Sequence, residues 1–315
     1  MDWEKPATMV FRKDGGPVRR WMLAALLAAW VGSGWAQIPL LQAAPLRPRP
    51  ELLVSPDWLE EHRGDPQLRI VDVRDREEYV KGHLPGAVHL APHALFTTVD
   101  GVPGLLPPVS RVAGKLGALG VGPDTVVVAY DDANGLYAAR LFWALDYIGQ
   151  GKGRLLDGGW PLWVRQKRTV SRAEPRVTPQ TLTARPQAEV LANLDWMREH
   201  LGNQETIYVD ARSTYEYRGV TKFAKHRGRI PGAVSMEWKR HLKSDGTFRP
   251  AEELTATFQE LGVTGDKEVA VYCQVHVRAA HSYFTLKWLG FDRVRGYDGS
   301  WAEWGNRDDT PKESF

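Results

Sequence analysis

Cys273 is the only cysteine in the chain, and it stands where the apolar run Val269-Ala270-Val271-Tyr272 gives way to the loop Gln274-Val275-His276-Val277-Arg278. A strand that ends in a tight loop feeding a helix start aims several backbone N–H groups at one point. Such a nest holds an anion and favours a thiolate over a thiol. His276 and Arg278 are expected to add positive charge there. The residue types therefore point to a sulfur nucleophile, Cys273, whose substrate is held by the amides of Gln274, Val275, His276 and Val277 and by the guanidinium of Arg278. Asp210 and Arg212 fall at a neighbouring strand end as supporting residues, with Asp210 placed to orient Arg278. No metal site is expected: His226, His241 and His281 lack acidic or cysteine partners at ligand spacing, and one cysteine cannot build a thiolate cluster.

The elements that must position these residues occur twice. Leu68-Arg69-Ile70-Val71-Asp72-Val73-Arg74 is echoed by Thr206-Ile207-Tyr208-Val209-Asp210-Ala211-Arg212, and Gly82-His83-Leu84-Pro85-Gly86-Ala87-Val88 by Gly228-Arg229-Ile230-Pro231-Gly232-Ala233-Val234. Val126-Val127-Val128-Ala129-Tyr130-Asp131 then matches the run into Cys273, and Asp157-Gly158-Gly159-Trp160 matches Asp298-Gly299-Ser300-Trp301. The four matches keep their order at offsets between 138 and 146 residues, which reads as a duplicated α/β domain.

Short apolar runs alternate with amphipathic segments such as Ser55 to His62, Ala138 to Ile148, Ala251 to Leu261 and Ala279 to Leu289. Strands alternating with helices predict a mostly parallel sheet flanked by helices in each copy, with the chemistry at the carboxyl ends of the strands. The spacing divides the chain into residues 50–166, a connector over 167–189 rich in Arg, Thr and Pro, and residues 190–312. Asp131 occupies the position of Cys273 in the first copy. An aspartate cannot carry a transferable sulfur, so that copy is expected to be inactive and to act as scaffold or as one wall of the cleft.

Composition narrows the partners. Seven Lys or Arg against three Asp or Glu fall in residues 1–50, leaving 34 basic and 35 acidic residues over 51–315. A near-neutral body without a basic stripe argues against nucleic acid. The N-terminal surplus reads as an export signal over residues 1–36: Arg19-Arg20, an apolar stretch from Trp21 to Val31, and the small residues of Gly34-Trp35-Ala36 before Gln37. The stretch is too short to span a bilayer, so the processed protein is expected to be exported, periplasmic and without a membrane span. A lone cysteine excludes an intrachain disulfide.

Taken together, the paired Val-Asp-x-Arg strands, the two Pro-Gly-Ala-Val turns, the loop from Cys273 to Arg278 and Tyr297-Asp298-Gly299-Ser300-Trp301-Ala302-Glu303-Trp304 resemble the rhodanese family in its tandem-domain thiosulfate sulfurtransferase form. The resemblance covers Glu51 to Gly305. It implies two rhodanese-like domains, the second catalytic, and transfer of a sulfane sulfur from thiosulfate to cyanide or another thiophilic acceptor through a persulfide on Cys273, without a cofactor. Small-molecule donors and acceptors are the implied partners, with an acceptor protein as a further one. The mercaptopyruvate-using branch resembles this chain less in its small, near-neutral Cys-Gly-Ser-Gly loop, and a persulfide relay would look the same in sequence. Where the vertebrate-type enzyme presents an arginine to substrate, this chain has Glu216, with Arg218 and Lys222 further on. Phosphatases that share the fold place five residues between cysteine and arginine, whereas here there are four.

Overall fold

A computed structural model describes residues 46–314. The Arg19-Arg20 pair, the apolar stretch after it and the expected cleavage site lie outside the described residues.

The first copy contributes β1 (Leu53–Val54), β2 (Leu68–Asp72), β3 (Val88–His89), the hairpin β4 (Thr97–Val99) and β5 (Val102–Leu105), β6 (Val126–Tyr130) and β7 (Gly153–Leu156). The second contributes β8 (Leu191–Ala192), β9 (Thr206–Asp210), β10 (Val234–Ser235), β11 (Glu268–Tyr272) and β12 (Val294–Tyr297). The two five-stranded sheets run β3-β2-β6-β7-β1 and β10-β9-β11-β12-β8, the same order twice, and every pair within them is parallel. Register repeats as well: Asp72 lies opposite Tyr130 and Asp210 opposite Tyr272. The expected architecture, two α/β domains each built on a parallel sheet flanked by helices, is the one observed. Central strands such as β6 and β11 are buried at nearly every position. Helices covering both faces leave no polar side, so these strands read as continuous apolar runs rather than alternating ones.

Two helices join the copies. In α4 (Leu136–Tyr147) every residue from Ala138 to Leu145 is buried, and in α9 (Arg278–Trp288) every residue from Ala279 to Leu286. A helix buried on all sides must have neighbours all round, and here each is the other's neighbour: the Phe142 and Phe284 rings meet edge to face with centroids 5.0 Å apart. One core therefore runs from Val71 and Ala129 in the first sheet to Val209 and Val271 in the second. Each sheet's outer face carries a separate smaller core, around Ile70 and Trp163 in one copy and around Tyr208 and Trp304 in the other.

The segment 167–189 has no helix or strand until a single 3-10 turn at Ala188–Val190. It is nevertheless fixed to the first copy. Ser171 exchanges backbone bonds with His83, Gln180 N–H donates to the Gly117 carbonyl, and Arg185 and Gln187 N–H donate to Ile148 and Tyr147. Gly117 is tied to this path, since a Cβ there would lie 2.5 Å from the Gln180 carbonyl oxygen.

Candidate active site

The repeat supplies an internal control: an arrangement kept in both copies is scaffold, and one found only in the second is a candidate for chemistry. Asp72 and Arg74, and Asp210 and Arg212, form the same buried pairs, with Nη2 to Oδ2 distances of 2.6 Å in each. Each arginine also donates to the carbonyl of the turn glycine, Gly82 or Gly228, at 2.7 Å. Each lies over a tryptophan, Arg74 3.9 Å from the Trp160 ring centroid and Arg212 4.5 Å from that of Trp301. The Val-Asp-x-Arg motif therefore clamps strand end, turn and helix together. Asp210 accepts hydrogen bonds from Arg212 and does not hold Arg278, which corrects the sequence-based expectation.

The loops after β6 and β11 also share a backbone. Asn134 and His276, at equivalent positions, both adopt positive φ, 58° and 53°. In the first copy Asp131 fills its own loop: Oδ1 accepts from the N–H groups of Ala133 and Gly135 at 2.9 and 2.8 Å, and Oδ2 from those of Tyr137 and Ala138 at 2.7 and 2.9 Å. Burial pushes the Asp131 carboxyl up, against the pull of these four donors. In the second copy Cys273 stands in that place with no carboxylate. The backbone N–H groups of Gln274, Val275, His276 and Val277 find no acceptor among the described residues. Buried or half-buried N–H groups left without acceptors are rare and costly, and here they directly follow the cysteine in its loop.

The thiol is recessed. Cys273 is a free cysteine only 1% exposed, whereas Gln274, Val275, Val277 and Arg278 around it are part-exposed. The sulfur thus lies below the loop surface rather than at its rim. The β4–β5 hairpin of the other copy closes on the loop at Val275. A Cβ on Gly104 would come within 2.7 Å of Val275 Cβ. The backbone of Cys273 is locked from below, its N–H donating to Ser300 Oγ at 3.2 Å and its carbonyl accepting from Trp301 N–H at 2.9 Å. Ser300 in turn donates to the Tyr297 carbonyl and holds a φ of 50°, which only glycine adopts cheaply. The first copy has Gly159 there, also at 50°. That replacement of glycine by serine was the signal in the sequence for a positioning residue that motif reading passed over.

Arg278, the first residue of α9, is held by Glu216, which accepts from Nη1 at 2.6 Å and from Nη2 at 2.8 Å. Glu216 is itself fixed by the capping box of α7 (Thr214–Tyr217), in which Ser213 is the N-cap. Burial pulls the Arg278 pKa down, but Glu216, the Cys273 sulfur and Asp210 outweigh it and the guanidinium stays charged. Glu216 thus faces Arg278 rather than substrate.

His276 does not add charge. Its ring is fully buried and edge-on to Trp143, with centroids 4.5 Å apart, and it fills space over Gly296, where a Cβ would lie 2.4 Å from the imidazole. Burial, reinforced by Arg140, holds its pKa well below the usual histidine range, so the imidazole is neutral. The expected contribution of charge from His276 is thereby corrected. Among the described residues no three His, Cys, Asp or Glu side chains gather where they could hold a metal ion.

Comparison with known proteins bears on the fold and the family. The family model described as Rhodanese-like domain matches residues 55–166 and again 193–307. A thiosulfate sulfurtransferase of Azotobacter vinelandii is 37% identical over 83% of this chain and 97% of its own length. The sulfur carrier protein TtuD of Thermus thermophilus is 37% identical over 82% of this chain and 94% of its own. Among solved structures, EanB in complex with ergothioneine covalently linked to a persulfide cysteine superposes with a TM-score of 0.75 at 25% identity, over 84% of this chain and 70% of that one. With two matched domains, a repeated parallel fold and similarity along most of its length, the chain belongs to the rhodanese family as a tandem-domain member.

Proposed function

We propose that the protein is a thiosulfate sulfurtransferase whose nucleophile is Cys273. The Cys273 thiolate attacks the outer sulfur of thiosulfate. The sulfur–sulfur bond of the donor breaks, its electron pair leaves with sulfite, and Cys273 carries a persulfide. Cyanide or a thiol then takes the terminal sulfur and the thiolate returns. The charge count is constant through both steps, so no redox partner or cofactor is needed. The observation that carries the reading is the contrast between the copies: the N–H groups of Ala133, Gly135, Tyr137 and Ala138 that the first copy spends on the Asp131 carboxyl have as counterparts those of Val275, Val277, Ala279 and Ala280, which find no acceptor among the described residues. A persulfide is an anion at the end of a short side chain, as a carboxylate is, and preorganised donors stabilise such charge without reorganising. Arg278, fixed by Glu216, adds a cation beside the sulfur.

Neutral His276 and the Glu216 partner of Arg278 leave less net charge at the loop than the sequence suggests. This favours assaying 3-mercaptopyruvate, a monoanion, beside thiosulfate. Intact-mass measurement after thiosulfate treatment tests the proposal: the parent protein gains one sulfur atom and loses it on adding cyanide, while Cys273→Ala gains none. Sulfur bound by the alanine variant, or none bound by the parent, would sink it.

No helix among the described residues is long and apolar enough to cross a membrane. We propose export to the periplasm on the strength of Arg19-Arg20 and the apolar stretch from Trp21 to Val31. Cleavage after Ala36 would make Gln37 the first residue read by N-terminal sequencing of the mature protein.

A further inference from the structure

The catalytic copy is longer than the first at one place beside the Cys273 loop. Tyr79 and Tyr217 are equivalent, each donating its hydroxyl to a turn carbonyl, Ala87 at 2.8 Å and Ala233 at 2.7 Å. Gly82 and Gly228 are equivalent as the acceptors for Arg74 and Arg212. Tyr79 and Gly82 are three positions apart and Tyr217 and Gly228 eleven, so the second copy carries eight extra residues.

This segment has an unusual surface. The three most exposed large apolar side chains among the described residues, Tyr215 at 67%, Val220 at 61% and Phe223 at 62%, lie on it or at its start. Arg218 and Lys222 are exposed between them and Arg227 just beyond, none with an ion pair among the described residues. Tyr215, Arg218 and Val220 line a hollow of about 430 Å³ that holds one acid, Glu237. Nor is the segment loose. Lys225 N–H donates to Asn306 Oδ1 at 2.7 Å, His226 N–H to the Gly305 carbonyl at 2.8 Å, and Gln274 of the active loop donates from Nε2 to the Phe223 carbonyl at 3.1 Å.

We propose that residues 215–227 form a docking surface for an acceptor protein whose cysteine is flanked by acidic and apolar residues. Thiosulfate and cyanide have no apolar surface to cover two aromatic rings. Aromatic side chains and arginine are enriched at protein interfaces, and large apolar side chains left exposed on one segment favour a covered state. The surplus of cations selects an acidic partner and speeds its encounter. The inference rests on the Cys273 persulfide reading. In the transfer, the acceptor thiolate attacks the terminal sulfur, the bond to Cys273 breaks with its electron pair returning to Cys273, and the acceptor carries the persulfide.

The test preloads the full protein with thiosulfate, removes the excess, and follows loss of the sulfur by intact mass on mixing with synthetic single-cysteine peptides of equal length. The cysteine is flanked by Glu and Leu, by Lys and Leu, or by Ser and Gly. Each rate is divided by that peptide's rate with a small free disulfide, which removes differences in thiol reactivity. The Glu/Leu peptide is expected to discharge the protein about 10-fold faster than the Lys/Leu peptide, with the gap closing at high salt. Tyr215→Ser with Phe223→Ser should slow the Glu/Leu peptide about 5-fold and leave discharge by cyanide unchanged. Lys222→Glu with Arg227→Glu should reverse the order of the charged peptides. Equal rates for all three peptides, or parallel loss of cyanide discharge in the aromatic variant, would overturn the docking surface while leaving the persulfide intact. Failure to load sulfur at all would overturn both readings together.

Discussion

The same loop backbone surrounds an aspartate in one copy and a cysteine in the other, so the first copy shows the cradle with a carboxyl group seated in it. Asp131 uses both oxygens, two donors each. Asn at 131 would keep one acceptor oxygen and turn an NH2 toward two N–H groups. Asp131→Asn should therefore cost about 2–4 kcal/mol by urea denaturation, from two buried donors at about 1–3 kcal/mol each, while the remaining folded protein still takes sulfur on Cys273. A loss of under about 0.5 kcal/mol would mean that these bonds contribute little net stability. Cys273 and its counterpart were legible in the sequence because both end a recognisable apolar run. The direction of His276 was not legible. It depends on a left-handed backbone at its own position and on the space that Gly296 leaves on another strand, and neither is visible from spacing along the loop.

Strands and helices were legible because burial on both faces of a parallel sheet forces apolar runs that contrast with the segments between them. What holds the copies together was hidden in a motif read only as one of the repeated segments. Asp157 accepts from Phe248 N–H in the second copy at 3.0 Å, and Asp298 accepts from Leu106 N–H in the first at 2.8 Å, a reciprocal pair of staples. Asp298 carries more, since its Oδ1 accepts from Arg140 Nη1 at 2.7 Å. Arg140 on α4 is fully buried and donates from Nη2 to the Gly104 carbonyl of the hairpin that covers Val275. Asp298→Ala leaves that guanidinium without a carboxylate and should cost roughly 3–5 kcal/mol. The double variant Asp298→Ala with Arg140→Leu leaves no stranded charge and should lose less than the two single losses added together. A thermal or urea double-mutant cycle measures this, and strictly additive losses would show that the pair is not coupled. The path of 167–189 was illegible for a related reason: its bonds go to carbonyls of Gly117, Tyr147 and Ile148, far away in the sequence.

Because one apolar core spans both sheets, neither copy can lose its inner helix face without exposing the other, and unfolding should be a single transition despite the two domains. That coupling lets a single carboxyl at the α4–α9 contact set a pH dependence for the whole molecule. Asp146 accepts from the Tyr283 hydroxyl at 3.1 Å, and burial pushes its pKa up to about 6, with Lys287, Tyr283 and Arg49 pulling the other way. The sign follows from the raised value. Asp146 favours the folded state while it is protonated, fully so below the ordinary carboxyl pKa of about 4. That contribution is lost as pH climbs through about 6, so the ionised group is a net cost above neutrality. Raising a carboxyl from about 4 to about 6 corresponds to roughly 3 kcal/mol. Asp146→Asn keeps an acceptor for Tyr283 and cannot ionise. It should therefore be more stable than the parent at about pH 8, by up to about 3 kcal/mol, and close to it at about pH 4. Urea denaturation across that range, followed by tryptophan fluorescence and by far-ultraviolet circular dichroism, provides the comparison. Coincident curves with the predicted pH slope, absent in the variant, support one cooperative unit. Two separated transitions, with the slope confined to one of them, would show that the copies unfold independently and that the shared core does not bind them into a single folding unit.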